Sequence, residues 1–398
     1  MERAPALERC SPPRGIVLAA WALAAAVNLS AGLVIASWPE RRSDLESMQR
    51  WGHAWLVTGS NVYETDEGLP DYPPHALVAL SPLGAIPDRL AVPVWGSINL
   101  GLALLAPCLA VRAVCPGATL SAAALPILMF LCWGGFRTLL QFSLLSLTAG
   151  LLSMIVADRK PVWSGVCLGL ALMKPQMAAP FLLWALFTRR WRVAGVALGV
   201  VAMGTAVFCL RAGAHPLDVT LRYADILRVY HTGEPILVGL AQLRPLVALV
   251  ASHPALVDAL TAAVAVALLA AVCVLGLTEE KRRAPTRYAA PALAGVWSLL
   301  TFYHLTYGFV LLLPAGLLLW SVGDPRTRSV RRRVFWGLQL AMMLDVPGIW
   351  GRARHLIAPN RMLDAMLPHF DRGFMLALFG CLAVLACAQL RAAKRFLR

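Results

Sequence analysis

Charge is scarce in this chain. Only 14% of its 398 residues are charged, 59% are hydrophobic, and the mean hydropathy is +0.67. That balance excludes a soluble domain of this length, which needs a far more polar surface. The apolar runs, about 18–22 residues each, are also too long and too uniformly apolar for barrel strands. What remains is a polytopic, all-helical integral membrane protein. Acidic residues are the rarer sign, 21 against 36 Lys and Arg. The net charge of +15 does not point to nucleic acid, because the basic residues sit in short clusters between apolar runs. Examples are Arg189-Arg190-Trp191-Arg192, Lys281-Arg282-Arg283 and Arg331-Arg332-Arg333. Such clusters mark cytoplasmic loops and imply anionic membrane lipid as the partner.

Several chemical signatures are missing too. The nine cysteines form no C-x-x-C and read as small buried apolar side chains. No P-loop, dinucleotide fingerprint or nucleophile motif is present. No His/Asp cluster has metal spacing, so no metal site and no cofactor are indicated. The two halves carry no matching broken spans, which argues against an inverted-repeat transporter.

The apolar runs predict spans near 15–38, 90–111, 120–133, 138–156, 193–210, 254–277, 288–302, 307–322, 334–350 and 373–390. The first reads as an uncleaved span. Two short runs, 162–173 and 177–187, are separated by Lys174-Pro175-Gln176. Each is too short to cross alone, so they read as short helices inside the bundle or a re-entrant pair. A shorter piece at 236–250 is placed on the surface. This gives about twelve crossings with both termini on one side. Lys and Arg greatly outnumber Asp and Glu on that side and roughly balance them on the other, so the termini are expected to be cytoplasmic. The chain is read as one transmembrane domain, 1–398, with external polar stretches at 39–74, 211–235 and 351–370.

The first external stretch is the most informative. Ser43 and Glu46 fit an S-x-x-E capping box, predicting a helix from about Asp44. Gly59-Ser60-Asn61 predicts its end. Leu45, Met48, Trp55 and Leu56 recur on one face, with Gln49, Arg50 and His53 nearer the other. The pattern predicts a helix in the membrane interface with its tryptophan rings at headgroup level. Asp44 falls in the first turn, where the helix dipole favours a carboxylate. Other polar residues sit oddly among apolar runs on the same predicted face: Lys174, Gln141 and His304. Each has a structural alternative. Asp44 completes a cap, Lys174 snorkels, Gln141 bonds a neighbouring helix, and His304 is a satisfied packing residue. Tyr72-Pro73-Pro74 starts a helix, and Arg222, Arg228 and His231 form a solvated face.

In order along the chain stand Asp44, Gly59 and Tyr63, Tyr72-Pro73-Pro74, Pro82-Leu83, Gln141, Lys174-Pro175-Gln176 with Arg189-Arg190-Trp191, then His304, Tyr307 and Pro314. This order resembles glycosyltransferase family 87, the polyprenyl-phosphate-dependent mannosyl- and arabinosyltransferase group of the GT-C superfamily. Leu140 before Gln141 and Gly308 after Tyr307 depart from the family pattern. The resemblance implies a GT-C-type bundle in a bacterial-type inner membrane, with its site on the external, periplasmic side. It implies a polyprenyl-phosphate sugar donor, a glycolipid or glycan acceptor, and Asp44 as catalytic base. Lys174, His304 and Arg228 are then candidates for the donor phosphate, and Tyr72, His75, Gln141 and Gln176 for substrate binding. The competing readings are a transporter or flippase of a lipid-linked saccharide, and a non-catalytic membrane subunit.

Overall fold

The computed structural model describes residues 43–65, 70–114, 140–232, 242–281, 289–302, 304, 306–321, 329–331, 333–337 and 370–396, with a few isolated positions in 15–26. The expected spans at 15–38 and 120–133, most of 334–350 and the stretch 351–370 lie outside them. Every regular element among the described residues is helical. In chain order they are α1, Ser43–His53, continued by a π turn, Ala54–Thr58; α2, Pro74–Leu80, followed by a 3-10 turn, Ser81–Ala85; α3, Asp88–Val114; α4, Ser143–Val156; α5, Pro161–Ala171; α6, Pro175–Phe187; α7, Trp191–Ala212; α8, Pro216–Thr232; α9, Arg244–Val247; α10, Pro254–Lys281; α11, Ala289–Thr301; a 3-10 stretch, Thr306–Leu312; α12, Leu313–Ser321; and α13, Phe370–Phe396.

Among the described residues three helices are long and apolar enough to cross a bilayer: Asp88–Ala113, Trp191–Ala212 and Pro254–Thr278, of 26, 22 and 25 residues. At 1.5 Å per residue they reach roughly 33–39 Å, more than a hydrocarbon core of about 30 Å. Their outward faces are apolar. Leu198, Met203 and Leu210 on α7, and Leu256, Val266 and Val274 on α10, are all exposed. Contiguous apolar surface of that kind belongs against lipid, and the chain is an integral membrane protein. Shorter apolar helices, α4, α5, α6, α11 and parts of 308–319 and 372–387, fill the bundle between them.

The expected short pair is present as α5 and α6, of 11 and 13 residues. Both pack within the bundle, α5 against α4 and α7 and α6 against α11. Glycine makes the α5–α7 contact possible. A Cβ on Gly165 would lie 2.5 Å from Val196 Cβ, and one on Gly169 2.6 Å from Val200 Cβ. The small-xxx-small spacing lets two backbones approach closely where lipid supplies no hydrophobic drive.

The described residues hold two apolar cores. One lies among α3 to α6 and α10 to α13. The other gathers Leu45, Met48, Trp51 and Trp55 of α1, Tyr72, Ala76 and Leu77 of the α2 region, Phe142, Met173 and Phe208. The first polar stretch therefore packs against Phe142, Met173 and Phe208. Trp51 and Trp55 are buried in protein. Phe208, from the end of α7, supplies the surface: its ring stacks on Trp55 at 5.9 Å, and its carbonyl accepts the indole N–H at 3.2 Å. Leu56, expected on the apolar face, is exposed beside Val57. The second polar stretch is mostly a helix, α8, which buries Val219 and Ile226.

Candidate active site

Local sequence places each site residue. Helix α1 begins at Ser43, as the capping box predicts, and puts Asp44 in its first turn. The helix ends at Gly59, which takes φ +72 and donates its N–H to Trp55 O. That left-handed conformation is one few other residues adopt without strain. Two further glycines seat α1 on the turn Ser81–Ala85. A Cβ on Gly84 would fall 2.2 Å from His53 N, and one on Gly52 3.1 Å from Ser81 Cα. Gln49 donates to Ile86 O at 3.1 Å across the same contact.

Lys174 sits at the corner between α5 and α6. Preceding Pro175, it is held extended, at φ −120, and it caps α6 with its carbonyl. Its side chain turns into the protein. Nζ donates to Gln141 Oε1 at 3.2 Å and to Ser143 Oγ at 3.3 Å, and lies 3.9 Å from Asp44 Oδ2. It also stands 5.1 Å over the Tyr72 ring. The Tyr72 hydroxyl donates to the same Asp44 oxygen at 3.4 Å. The Lys174 side chain is 5% exposed and that of Asp44 25%. A buried cation thus stands behind a carboxylate that still reaches solvent. Burial holds the Lys174 ammonium below the usual lysine range, and Asp44 and Asp71 oppose that shift.

Four residues singled out in the sequence, Asp44, Tyr72, Gln141 and Lys174, therefore meet in one cluster. His304 and Gln176 form a neighbouring link. The buried His304 Nε2 lies 3.2 Å from Ser298 Oγ, and that hydroxyl donates to the Gln176 carbonyl, two residues beyond Lys174. His75 is buried where a Cβ on Gly204 of α7 would lie 2.6 Å from its own. Burial pushes its pKa down to about 4, against the opposing pull of the Leu172 and Gly169 backbone, so it is neutral at pH 7. Arg228 lies exposed on α8.

The sequence reading passed over Asp71, directly before Tyr72. Its side chain is accessible to solvent, yet enough protein surrounds it to desolvate it. Burial, then the charge of Asp44, pushes its carboxyl up to about 6, and Lys174 pulls the other way. A second carboxylate therefore shares the field of Asp44 and Lys174. The signal was its place in the run Asp71-Tyr72-Pro73-Pro74. Arg211 was also passed over, and Arg222, read as part of a solvated face, makes a specific contact. Arg211 Nε donates to Trp55 O at 2.9 Å, its Nη2 donates to Leu56 O, and Arg222 Nε donates to Tyr63 O at 3.3 Å. Tyr63 in turn donates to Tyr72 O at 2.6 Å. These contacts tie the first polar stretch to α7 and α8.

A family model, Glycosyltransferase family 87, matches residues 71–228. The matched stretch contains Asp71, Tyr72, Gln141, Lys174 and Arg228, while Asp44 and His304 lie outside it. Over that stretch the sequence is similar to the glycosyltransferases of this family. No curated protein and no solved structure matches the chain.

Proposed function

We propose, from its match to the family 87 glycosyltransferases, that this chain moves a sugar from a polyprenyl-phosphate donor to a glycolipid or polysaccharide acceptor. Mannose and arabinofuranose are the sugars favoured. The reaction takes place on the outer face of the inner membrane, in a GT-C-type bundle of about twelve spans with cytoplasmic termini. The external stretches 39–74, 211–235 and 351–370 belong to that single domain, and the first carries the catalytic carboxylate.

The observation that supports this most is the Asp44–Lys174–Tyr72 cluster. A sugar on a lipid phosphate already carries a good leaving group. The protein must take the proton from the acceptor hydroxyl and offset charge on the departing phosphate. Asp44 is the base: partly exposed, oriented by the Tyr72 hydroxyl and backed by Lys174. The acceptor oxygen bonds to the anomeric carbon as its proton passes to Asp44. The bond from that carbon to the phosphate oxygen breaks, and its electron pair leaves on the phosphate. One displacement of this kind inverts the anomeric centre.

Lys174, His304 and Arg228 are the cations proposed for the phosphate. Lys174 serves both partners, because a phosphate arriving beside Gln141 and Ser143 competes for N–H groups that those side chains now accept. Tyr72, His75, Gln141 and Gln176 shape the sugar pocket. Incubation of purified protein with radiolabelled polyprenyl-phosphate mannose or arabinose and a membrane glycolipid extract tests the reading. Label should enter glycolipid from one of these donors. Transfer from a nucleotide sugar alone would overturn the donor assignment.

A further inference from the structure

Pro180 lies inside α6. In an α-helix the carbonyl of residue 176 takes the N–H of residue 180, and proline has none. A carbonyl without a donor is costly in an apolar bundle, so that of Gln176 needs one from another element. Ser298 of α11 supplies it: its buried hydroxyl donates to the Gln176 carbonyl. A serine hydroxyl has a single proton. With that proton on Gln176, the oxygen can only accept from the other group it touches, His304 Nε2 at 3.2 Å. The contact is a hydrogen bond only when Nε2 carries a proton. The other edge of the ring lies against Gly308, where a Cβ would fall 2.6 Å from His304 Nδ1. Glycine at 308 is thus what keeps a side chain off that nitrogen.

We propose that Ser298 and Pro180 are positioning residues that fix the tautomer of His304. Pro180 leaves the Gln176 carbonyl open, that carbonyl takes the Ser298 proton, and Ser298 in turn holds His304 with a proton on Nε2. The inference rests on the reading of His304 as a donor-phosphate residue. With Nε2 turned to Ser298, the ring meets the phosphate through Nδ1. A bare Nδ1 presents a lone pair, which repels a phosphate oxygen, whereas a protonated one donates to it. Against phosphate, His304 is therefore the imidazolium, donating from Nδ1 while Ser298 accepts from Nε2. The same link holds the ring to the first turn of α6, directly after Lys174, so two of the proposed phosphate cations share one frame. Neither Ser298 nor Pro180 exchanges an atom with substrate; both act through His304.

The test joins nitrogen-15 NMR of the full chain, labelled at histidine and with the His304 signals assigned against His304→Gln, to transfer kinetics with a radiolabelled polyprenyl-phosphate sugar. The panel is wild type, Ser298→Ala, Ser298→Thr and Pro180→Ala, with thermal unfolding of each. Without substrate, at a pH where the ring is neutral, wild-type His304 should carry its proton on Nε2 alone. Pro180→Ala returns an N–H to the Gln176 carbonyl and releases the serine proton toward Nε2, so the Nδ1–H form should appear. Ser298→Ala should also move the His304 signals, because Nε2 loses its acceptor. Both should lower kcat/KM for the donor roughly tenfold and leave the acceptor KM within about twofold. Ser298→Thr, which keeps the hydroxyl, should match wild type in spectrum and rate. A purely structural role would lower the melting temperature without moving the histidine signals. The Nδ1–H form in wild type, or unmoved signals in a folded Pro180→Ala or Ser298→Ala, overturns the proposal. If neither variant folds, the wild-type spectrum decides alone. A wild type with the expected spectrum that is inactive on every donor would instead bring down the glycosyltransfer reading itself.

Discussion

Arg211 ends α7, and its guanidinium holds the far end of α1. Nε donates to the Trp55 carbonyl at 2.9 Å and Nη2 to that of Leu56, while the guanidinium stands 5.9 Å from the Trp55 ring. These carbonyls belong to the π turn that closes the helix, where a cation also meets the negative end of the dipole. The bonds are charge-assisted but lie at a partly exposed site, so their loss should cost only about 1–2 kcal/mol. The effect on Asp44 is larger because of leverage. Asp44 stands eleven residues before Trp55, about 16 Å along the helix axis. A tilt of about 4° at the anchored end moves Asp44 by about 1 Å, and a misplacement of that size costs on the order of a hundredfold in rate. Arg211→Ala should therefore lower kcat roughly ten- to hundredfold while the melting temperature falls by only a few °C. Arg211→Lys, which keeps the charge but loses the fork, should fall between. Initial rates with a polyprenyl-phosphate sugar, beside thermal unfolding in the same detergent, check this. An Arg211→Ala protein that melts lower yet turns over at the wild-type rate would refute the leverage argument.

Two other perturbations separate packing from chemistry. Gly84→Ala places a methyl 2.2 Å from His53 N and 2.6 Å from Gly52 C, so α1 must lift from the turn beneath it. Destabilisation of roughly 1–3 kcal/mol with loss of transfer is expected, whereas Gly96→Ala, with nothing within 4 Å of its Cβ, should leave unfolding unchanged. Lys174→Met keeps the stem and removes the buried charge. It should change stability by less than about 2 kcal/mol, since the lost desolvation cost offsets the lost partners. It should also reduce transfer at least tenfold, because Asp44, Gln141 and Ser143 lose the group that joins them; a rate within twofold of wild type would count against Lys174 as part of the site.

What the sequence made legible was local. A serine and a glutamate three apart announced the start of α1, and Gly59 its end, because caps are settled within a turn of backbone. The Lys174 corner was readable for the same reason, as a proline after a charged residue between two short apolar runs. What stayed hidden depends on partners far along the chain. The Trp55 ring is buried because Phe208, 153 residues later, lies against it. Asp71 looked like one more acidic loop residue, yet burial and the charge of Asp44 raise its carboxyl. Helix α8 passed for a loop because its charges surround a narrow apolar stripe, Val219, Tyr223 and Ile226, that shows its period only at spacings of four and three. Ser298, which joins His304 to the Gln176 carbonyl, carries no mark in the sequence at all.

The most direct measurement is turnover of Asp44→Asn beside wild type, both shown to be folded by their unfolding curves, with a radiolabelled polyprenyl-phosphate sugar and a glycolipid acceptor. The substitution keeps the shape of the side chain and removes only its capacity to accept a proton. The expected result is transfer by wild type and none measurable by the variant. Equal transfer by the two would contradict the assignment of the reaction to this carboxylate.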